Sequence, residues 1–133
     1  MNDKSKAPNF LGLIGENSHI GLGDYKGNFL VIYFYPKDKT SGCTLESQDF
    51  RDYKKKFANK NCKIIGVSRD SIKSHLSFIE KESLNFPLIS DPDETMCNAY
   101  GVMKEKSMYG RKYMGVLSTT FLFGLKLLYI IDR

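Results

Sequence analysis

Apolar residues in this chain recur with two periods, and the change from one to the other marks out the elements. From Asn28 to Tyr35 (NFLVIYFY) they run almost unbroken, β-branched and aromatic, which predicts a strand covered on both faces. Pro36 ends that run, and KDKTSG predicts a loop. From Cys43 to about Phe57 the apolar positions Phe50, Tyr53 and Phe57 return at helical spacing with charged residues between them. A second buried strand is expected over Lys63–Ser68. A helix follows, capped by Asp70 or Ser71, whose apolar face carries Ile72, Leu76, Ile79 and Phe78.

Phe86–Ile89 predicts a short strand. Asp91-Pro92-Asp93-Glu94 predicts a helix start, with a cap, Pro at the first helical position and Glu behind it; the helix ends before Gly101. Lys104–Gly115 is polar and contains glycine, so a loop is expected there. Thr119–Phe123 and Leu127–Ile131 predict two closing strands joined by a turn at Gly124-Leu125-Lys126. Residues 1–9 are polar and expected to be loose as far as Pro8. Alternating strands and helices with a final hairpin give an α/β sandwich on a mixed sheet.

The length, 133 residues, suits a single domain over 1–133. Hydrophobic residues at 41% and charged residues at 26% describe a chain that can bury a core without disulfide staples. Net charge is +5, but the lysines are scattered. The one dense run, Lys54-Lys55-Lys56, lies on a predicted helix as a solvated face, so no nucleic-acid partner is expected. Three cysteines do not make a disulfide framework. No apolar run reaches the length of a membrane span, and MNDKSKAPNF shows no signal peptide, so a cytoplasmic protein is expected. His19 and His75 form no metal pattern with the cysteines and are expected in surface or structural roles.

Candidate chemistry concentrates in YFYPKDKTSGCTLESQDF, where a buried strand and a short loop deliver Cys43 into the first turn of a helix. Backbone amides in a first turn lack intrahelical partners, and the helix dipole favours an anion, so both stabilise a thiolate there. The effect matters, because an ordinary cysteine is only about 3% ionised at pH 7. Thr40, three residues earlier, offers a hydroxyl to the sulfur or to a substrate oxygen. Helix placement alone leaves a buried, inert thiol as an equal alternative.

The stretch PKDKTSGCT resembles the active-site signature of the peroxiredoxins, P-x-x-x-T-x-x-C, carried here by Pro36, Thr40 and Cys43. Its surroundings, together with APNF near the start, DYKG at 24–27, LNFPLISDPDETMCNAYGV at 84–102 and EKSMYGRKYMG at 105–115, resemble the PrxQ or bacterioferritin comigratory protein group. The likeness runs from about Pro8 to Phe121. It implies a thioredoxin-like fold and a thiol-dependent peroxidase with no metal, nucleotide or other cofactor. Cys43 attacks hydrogen peroxide or an organic hydroperoxide and becomes a sulfenic acid, which thioredoxin or another thiol reductant returns to thiol. Pro36 shields the sulfur and shapes the loop. A monomer or weak homo-dimer is expected.

Three departures from the group stand out. Many members carry a second, resolving cysteine five residues after the first, where this chain has Gln48. Cys97 is then the candidate resolving thiol, with a bystander role as the alternative, and Cys62 is expected to be a small, half-buried residue. The resemblance also implies an arginine ahead of Thr119–Phe121, where this chain has Ser118. Losing a charged donor at a transition state commonly costs about 100-fold to 1,000-fold. Arg111, Lys37, Lys39 and Arg51 are the cations that might replace it, though each reads as a surface charge. Finally, members have a helix after the last strand, and this sequence stops at Asp132-Arg133 without one. These departures leave a second expectation open: a weakly active or non-catalytic redox-sensing protein on the same scaffold.

Overall fold

The computed structural model describes residues 6–56, 61–124 and 129–132. A seven-stranded sheet runs through it in the order β2-β1-β5-β4-β3-β8-β9. Its centre is three parallel strands, β3 (Phe29–Phe34), β4 (Cys62–Ser68) and β5 (Leu88–Ser90). Antiparallel strands flank them: β8 (Thr119–Phe123) and β9 (Tyr129–Asp132) on one side, and the hairpin β1 (Leu11–Gly15) and β2 (Ser18–Gly21) on the other. This is the mixed sheet with flanking helices that the pattern predicts.

Strand alternation divides the core in two. Leu30, Ile32 and Phe34 of β3 and Ile65 and Val67 of β4 point to one face. There they meet Met96, Cys97 and Tyr100 of α3 (Thr95–Ala99) and its C-cap. Tyr33, Tyr35, Ile64 and Leu88 point to the other face, beneath α1 (Ser41–Lys56) and α2 (Ile72–Glu82), which contribute Cys43, Phe50, Phe78 and Ile79. Gly66 makes that second face possible. A Cβ there would lie 2.5 Å from Leu88 Cδ2 and 2.9 Å from the Tyr33 ring, so only glycine lets the tyrosine lie across β4.

Several expectations need correction. Lys104–Gly115 is a hairpin, β6 (Met103–Met108) and β7 (Arg111–Val116), forming a separate two-stranded sheet around a turn at Tyr109 and Gly110. Exposed Met108, Tyr113 and Met114 are scattered among its charged residues, so no apolar alternation announces the strands. The β1–β2 hairpin was likewise invisible to periodicity, because Gly12 and Gly15 interrupt its pattern. Ala7 and Phe10 are buried and Tyr100 donates to the Pro8 carbonyl at 2.7 Å, so the chain is packed from Ala7 onward, while residues 1–5 of the segment expected to be loose lie outside the described residues.

The Asp91-Pro92-Asp93-Glu94 segment precedes α3 rather than opening it. Asp91 still caps: its carboxylate accepts from the Met96 and Cys97 amides at 3.1 and 2.8 Å. Ser71 caps α2 through the Ser74 amide, as expected. On α2 it is His75 and Phe78 that are buried, while Leu76 is 52% exposed. On α1, Tyr53 is also largely exposed. Phe57 and most of the turn at 124–126 lie outside the described residues. No helix among the described residues is long and apolar enough to cross a membrane.

Candidate active site

The site grows from the carboxyl end of β3. Tyr35 makes the last ladder bond, its amide donating to Val67 O at 3.1 Å, and Pro36 has no amide to continue it. The chain leaves the sheet there and turns through Asp38 and Lys39. Lys39 holds φ at 66°, a left-handed conformation that costs a non-glycine residue about 1 kcal/mol or more. The first hydrogen bond of α1 runs from the Thr44 amide to Thr40 O at 2.8 Å. The amides of Gly42 and Cys43 therefore precede the helix's own ladder, at its positive end.

Cys43 is 9% exposed and belongs to the same buried cluster as Tyr33, Tyr35 and Phe78. It is free, as are Cys62 and Cys97. Directly below α1, Tyr33 Oη lies 2.8 Å from Ser47 Oγ, both fully buried, one helical turn beyond Cys43. Burial pushes the Tyr33 phenol far up, so it stays a neutral hydrogen-bonding group. Pro36 is half-buried and Thr40 exposed. The Thr40 hydroxyl donates to Lys37 O at 3.1 Å rather than to the sulfur. Its single proton closes the turn, while its lone pairs stay free to accept.

Beside the first turns of α1 opens a cavity of about 550 Å³ lined by Gly42, Leu45, Glu46, Asp49, Ser118 and Thr120, with Phe50 at its wall. Ser118 thus lies where the resemblance places an arginine, and the space in front of it is open. Burial, with a smaller contribution from Asp49, pushes the Glu46 carboxyl up. The four cations considered as replacements are elsewhere. Arg51 bonds Asp52 and Glu82 O, at 2.9 and 2.6 Å, and Lys39 bonds Ser77 at 2.7 Å. Lys37 is exposed, and Arg111 is on the β6–β7 hairpin.

The three cysteines are kept apart. Cys97 is fully buried on the opposite sheet face from Cys43, and burial, reinforced by Asp91, drives its thiol strongly upward. Cys62 shares the Cys43 face but opens β4 at its amino end, while Cys43 lies beyond the carboxyl ends of the parallel strands. Six residue steps of β4 separate those ends, about 20 Å. Burial also raises the Cys62 thiol. Gln48, in place of a nearby second cysteine, donates to Glu82 at 2.7 Å and ties α1 to α2.

The sequence profile of the AhpC/TSA family matches residues 4–128. The chain belongs to the AhpC/TSA family. Among relatives, a putative peroxiredoxin of Coxiella burnetii is 45% identical over 117 residues, 88% of this chain and 78% of that one. Peroxiredoxin Bcp of Xanthomonas campestris is 52% identical over 101 residues, 76% of this chain and 63% of that one. A Xylella fastidiosa PrxQ cysteine-to-serine mutant superposes with a TM-score of 0.90 at 38% identity, covering 99% of this chain and 84% of that one. The Xanthomonas campestris bacterioferritin comigratory protein, solved as a trapped intermediate and ligand complex bearing on alkyl peroxide reduction, gives 0.83 at 42%, over 95% and 78%. As a peroxiredoxin of the Bcp/PrxQ group, the chain is a thiol-dependent peroxidase on a thioredoxin-like fold.

Sequence reasoning singled out Cys43, Thr40 and Pro36, which the structure places along the connection from β3 into α1. It missed Tyr33, Ser47, Asp38 and His75, whose partners are far away in sequence. The weak signal available for Asp38 and His75 was their chemistry, a carboxylate and an imidazole on segments otherwise read as loop and amphipathic helix.

Proposed function

We propose that Cys43 is the peroxide-reactive thiol of this peroxiredoxin. Its thiolate attacks one oxygen of a hydroperoxide, the O–O bond breaks, and the departing alkoxide or hydroxide takes up a proton to leave as alcohol or water. Cys43 is thereby oxidised to the sulfenic acid. The observation that carries this reading is that Cys43, the third residue of α1, lies ahead of the helix's own hydrogen bonds, whereas at Cys97, the third residue of α3, the Asp91 carboxylate already takes the first-turn amides.

Supporting roles follow from the geometry. Pro36 closes the ladder and turns the chain under the helix, and Thr40, its proton committed to Lys37 O, accepts from the hydroperoxide O–H. The cavity at Ser118 and Thr120 opens beside Gly42, the residue before Cys43, and is the expected approach for hydrogen peroxide or an organic hydroperoxide. Hydroxyls in place of a cation slow the attack relative to a site with a charged donor.

The sulfenic acid is reduced by an external thiol, with thioredoxin as the expected donor in the cytoplasm. Two observations favour this over an internal disulfide: Cys97 lies across the sheet, and Gln48 occupies the nearby helical position. Solved Xanthomonas campestris PrxQ mutants alter cysteines 36 positions apart, and the same interval from Cys43 falls on Ile79. Peroxide consumption coupled to thioredoxin and its reductase tests the reading. Turnover with wild type and Cys97→Ser, and none with Cys43→Ser, supports it; equal turnover by Cys43→Ser contradicts it.

A further inference from the structure

A buried polar cluster lies outside the cavity, between the β3–α1 loop and α2. His75 is 2% exposed, yet both of its ring nitrogens face oxygen. Nδ1 is 2.7 Å from Asp38 Oδ2, and Nε2 is 3.0 Å from Ile89 O. We propose that His75 is held as an imidazolium and acts through Asp38 as a positioning residue for the loop that carries Thr40 and Cys43. The proposal rests on Cys43 being the peroxide-reactive thiol.

The proton count comes from the partners. A backbone carbonyl only accepts. Asp38 is ionised: burial opposes this, but hydrogen bonds from His75, Tyr35 and Ser74 outweigh it and hold the carboxyl below the ordinary range. A neutral imidazole has one N–H and would leave one of the two oxygens facing a lone pair. The Ser68 hydroxyl, 3.5 Å from Nε2, does not change this, because it donates to Asp70 at 2.6 Å. The ionisable groups facing the ring are Asp38 from the β3–α1 loop, Asp70 beyond β4 and the Tyr35 phenol at the end of β3. β5 presents only a carbonyl, and α2 itself only Ser74.

Asp38 converts that charge into geometry. Its carboxylate accepts from His75, from Tyr35 Oη at 2.6 Å and from Ser74 Oγ at 2.8 Å, while its amide donates to Asp70 at 2.8 Å. The next residue is the left-handed Lys39, tied to Ser77 of α2. Thr40 and the first turn of α1 follow at once. The loop therefore takes its position from α2, and the strained turn persists because this anchor over-determines it. Misplacing a reacting group by about 1 Å can cost about 100-fold, so weakening one anchor of several should cost about tenfold.

Nitrogen-15 spectra of the histidine rings test the proton count directly. The chain has two histidines, and His19 is exposed, so a His19→Gln sample assigns the signals. Two protonated ring nitrogens on His75 at pH 7.5 are expected. The single-turnover rate of Cys43 with hydrogen peroxide should be about tenfold slower in His75→Gln at neutral pH, and Asp38→Asn, which cuts the same link, should add little to that loss in the double variant. A neutral His75 ring in wild type overturns the proposal, as does a folded His75→Gln with the wild-type rate or a double variant whose losses add. If His75→Gln does not fold, the wild-type ring spectrum decides. Should Cys43 prove inert to peroxide, its iodoacetamide alkylation profile replaces the rate, so the two readings fail separately.

Discussion

Cys43 and Cys97 lie on opposite faces of the same seven-stranded sheet, one on α1 and the other on α3. A disulfide needs Cα atoms within about 7 Å, and a sheet with side chains on both faces is thicker than that. After one equivalent of hydrogen peroxide, intact mass should therefore show a gain of one oxygen. Loss of two hydrogens, disappearing in Cys97→Ser, would show instead that α3 comes apart to resolve Cys43.

Accessibility orders the thiols as well. Cys97 is fully buried and its thiol is pushed strongly upward, so alkylation of the native protein at neutral pH should leave it unmodified while Cys43 reacts first. Peptide mapping at short times reads the order. Modification of Cys97 ahead of Cys43 would contradict the burial described here.

The space before Ser118 predicts a gain of function. Ser118→Arg has a cavity of about 550 Å³ to enter, with Glu46 and Asp49 to receive its charge. A cation there would stabilise the thiolate and the departing oxygen, raising the single-turnover peroxide rate by about 10-fold to 100-fold. The stopped-flow rate constant of the reduced variant checks this. A rate at or below wild type, in a protein that melts normally, would remove the cavity from the mechanism.

Tyr33 and Ser47 predict a stability effect close to the thiol. Removing one partner by Tyr33→Phe leaves a fully buried hydroxyl unpaired and should cost about 1–3 kcal/mol in urea unfolding. Removing both, with Ser47→Ala, should recover part of that loss. Additive losses would mean that the two hydroxyls are not coupled.

Asp38 predicts a pH dependence. Its folded carboxyl lies below the unfolded value near 3.9, so its contribution is fully present above that pH. The contribution disappears as the pH falls through the lower folded value, so the melting temperature should drop steeply below about pH 4. Asp38→Asn should start lower and show a shallower acid slope. Parallel slopes would show that Asp38 gains nothing on folding.

Much of this was legible in the chain itself. NFLVIYFY and KIIGVS name β3 and β4 because strands buried on both faces must be apolar throughout, and TTFLF matches β8 residue for residue. Pro36, Thr40 and Cys43 could be proposed from the sequence because they sit within one short segment. The β6–β7 hairpin was not, since a two-stranded ribbon exposed on both faces imposes no apolar period. The Asp38–His75 pair was hidden for another reason. Its residues lie 37 positions apart, and a buried hydrogen-bonded pair leaves no trace in sequence spacing.

The central claim is that a single sulfur, Cys43, meets the peroxide. Reduced protein mixed with one equivalent of hydrogen peroxide, trapped at intervals with dimedone and mapped by peptide mass, tests it most directly. The account predicts dimedone on the Cys43 peptide, forming orders of magnitude faster than with free cysteine, and no adduct on the Cys62 or Cys97 peptides. Adduct at another cysteine, or formation at Cys43 no faster than with free cysteine, would contradict it.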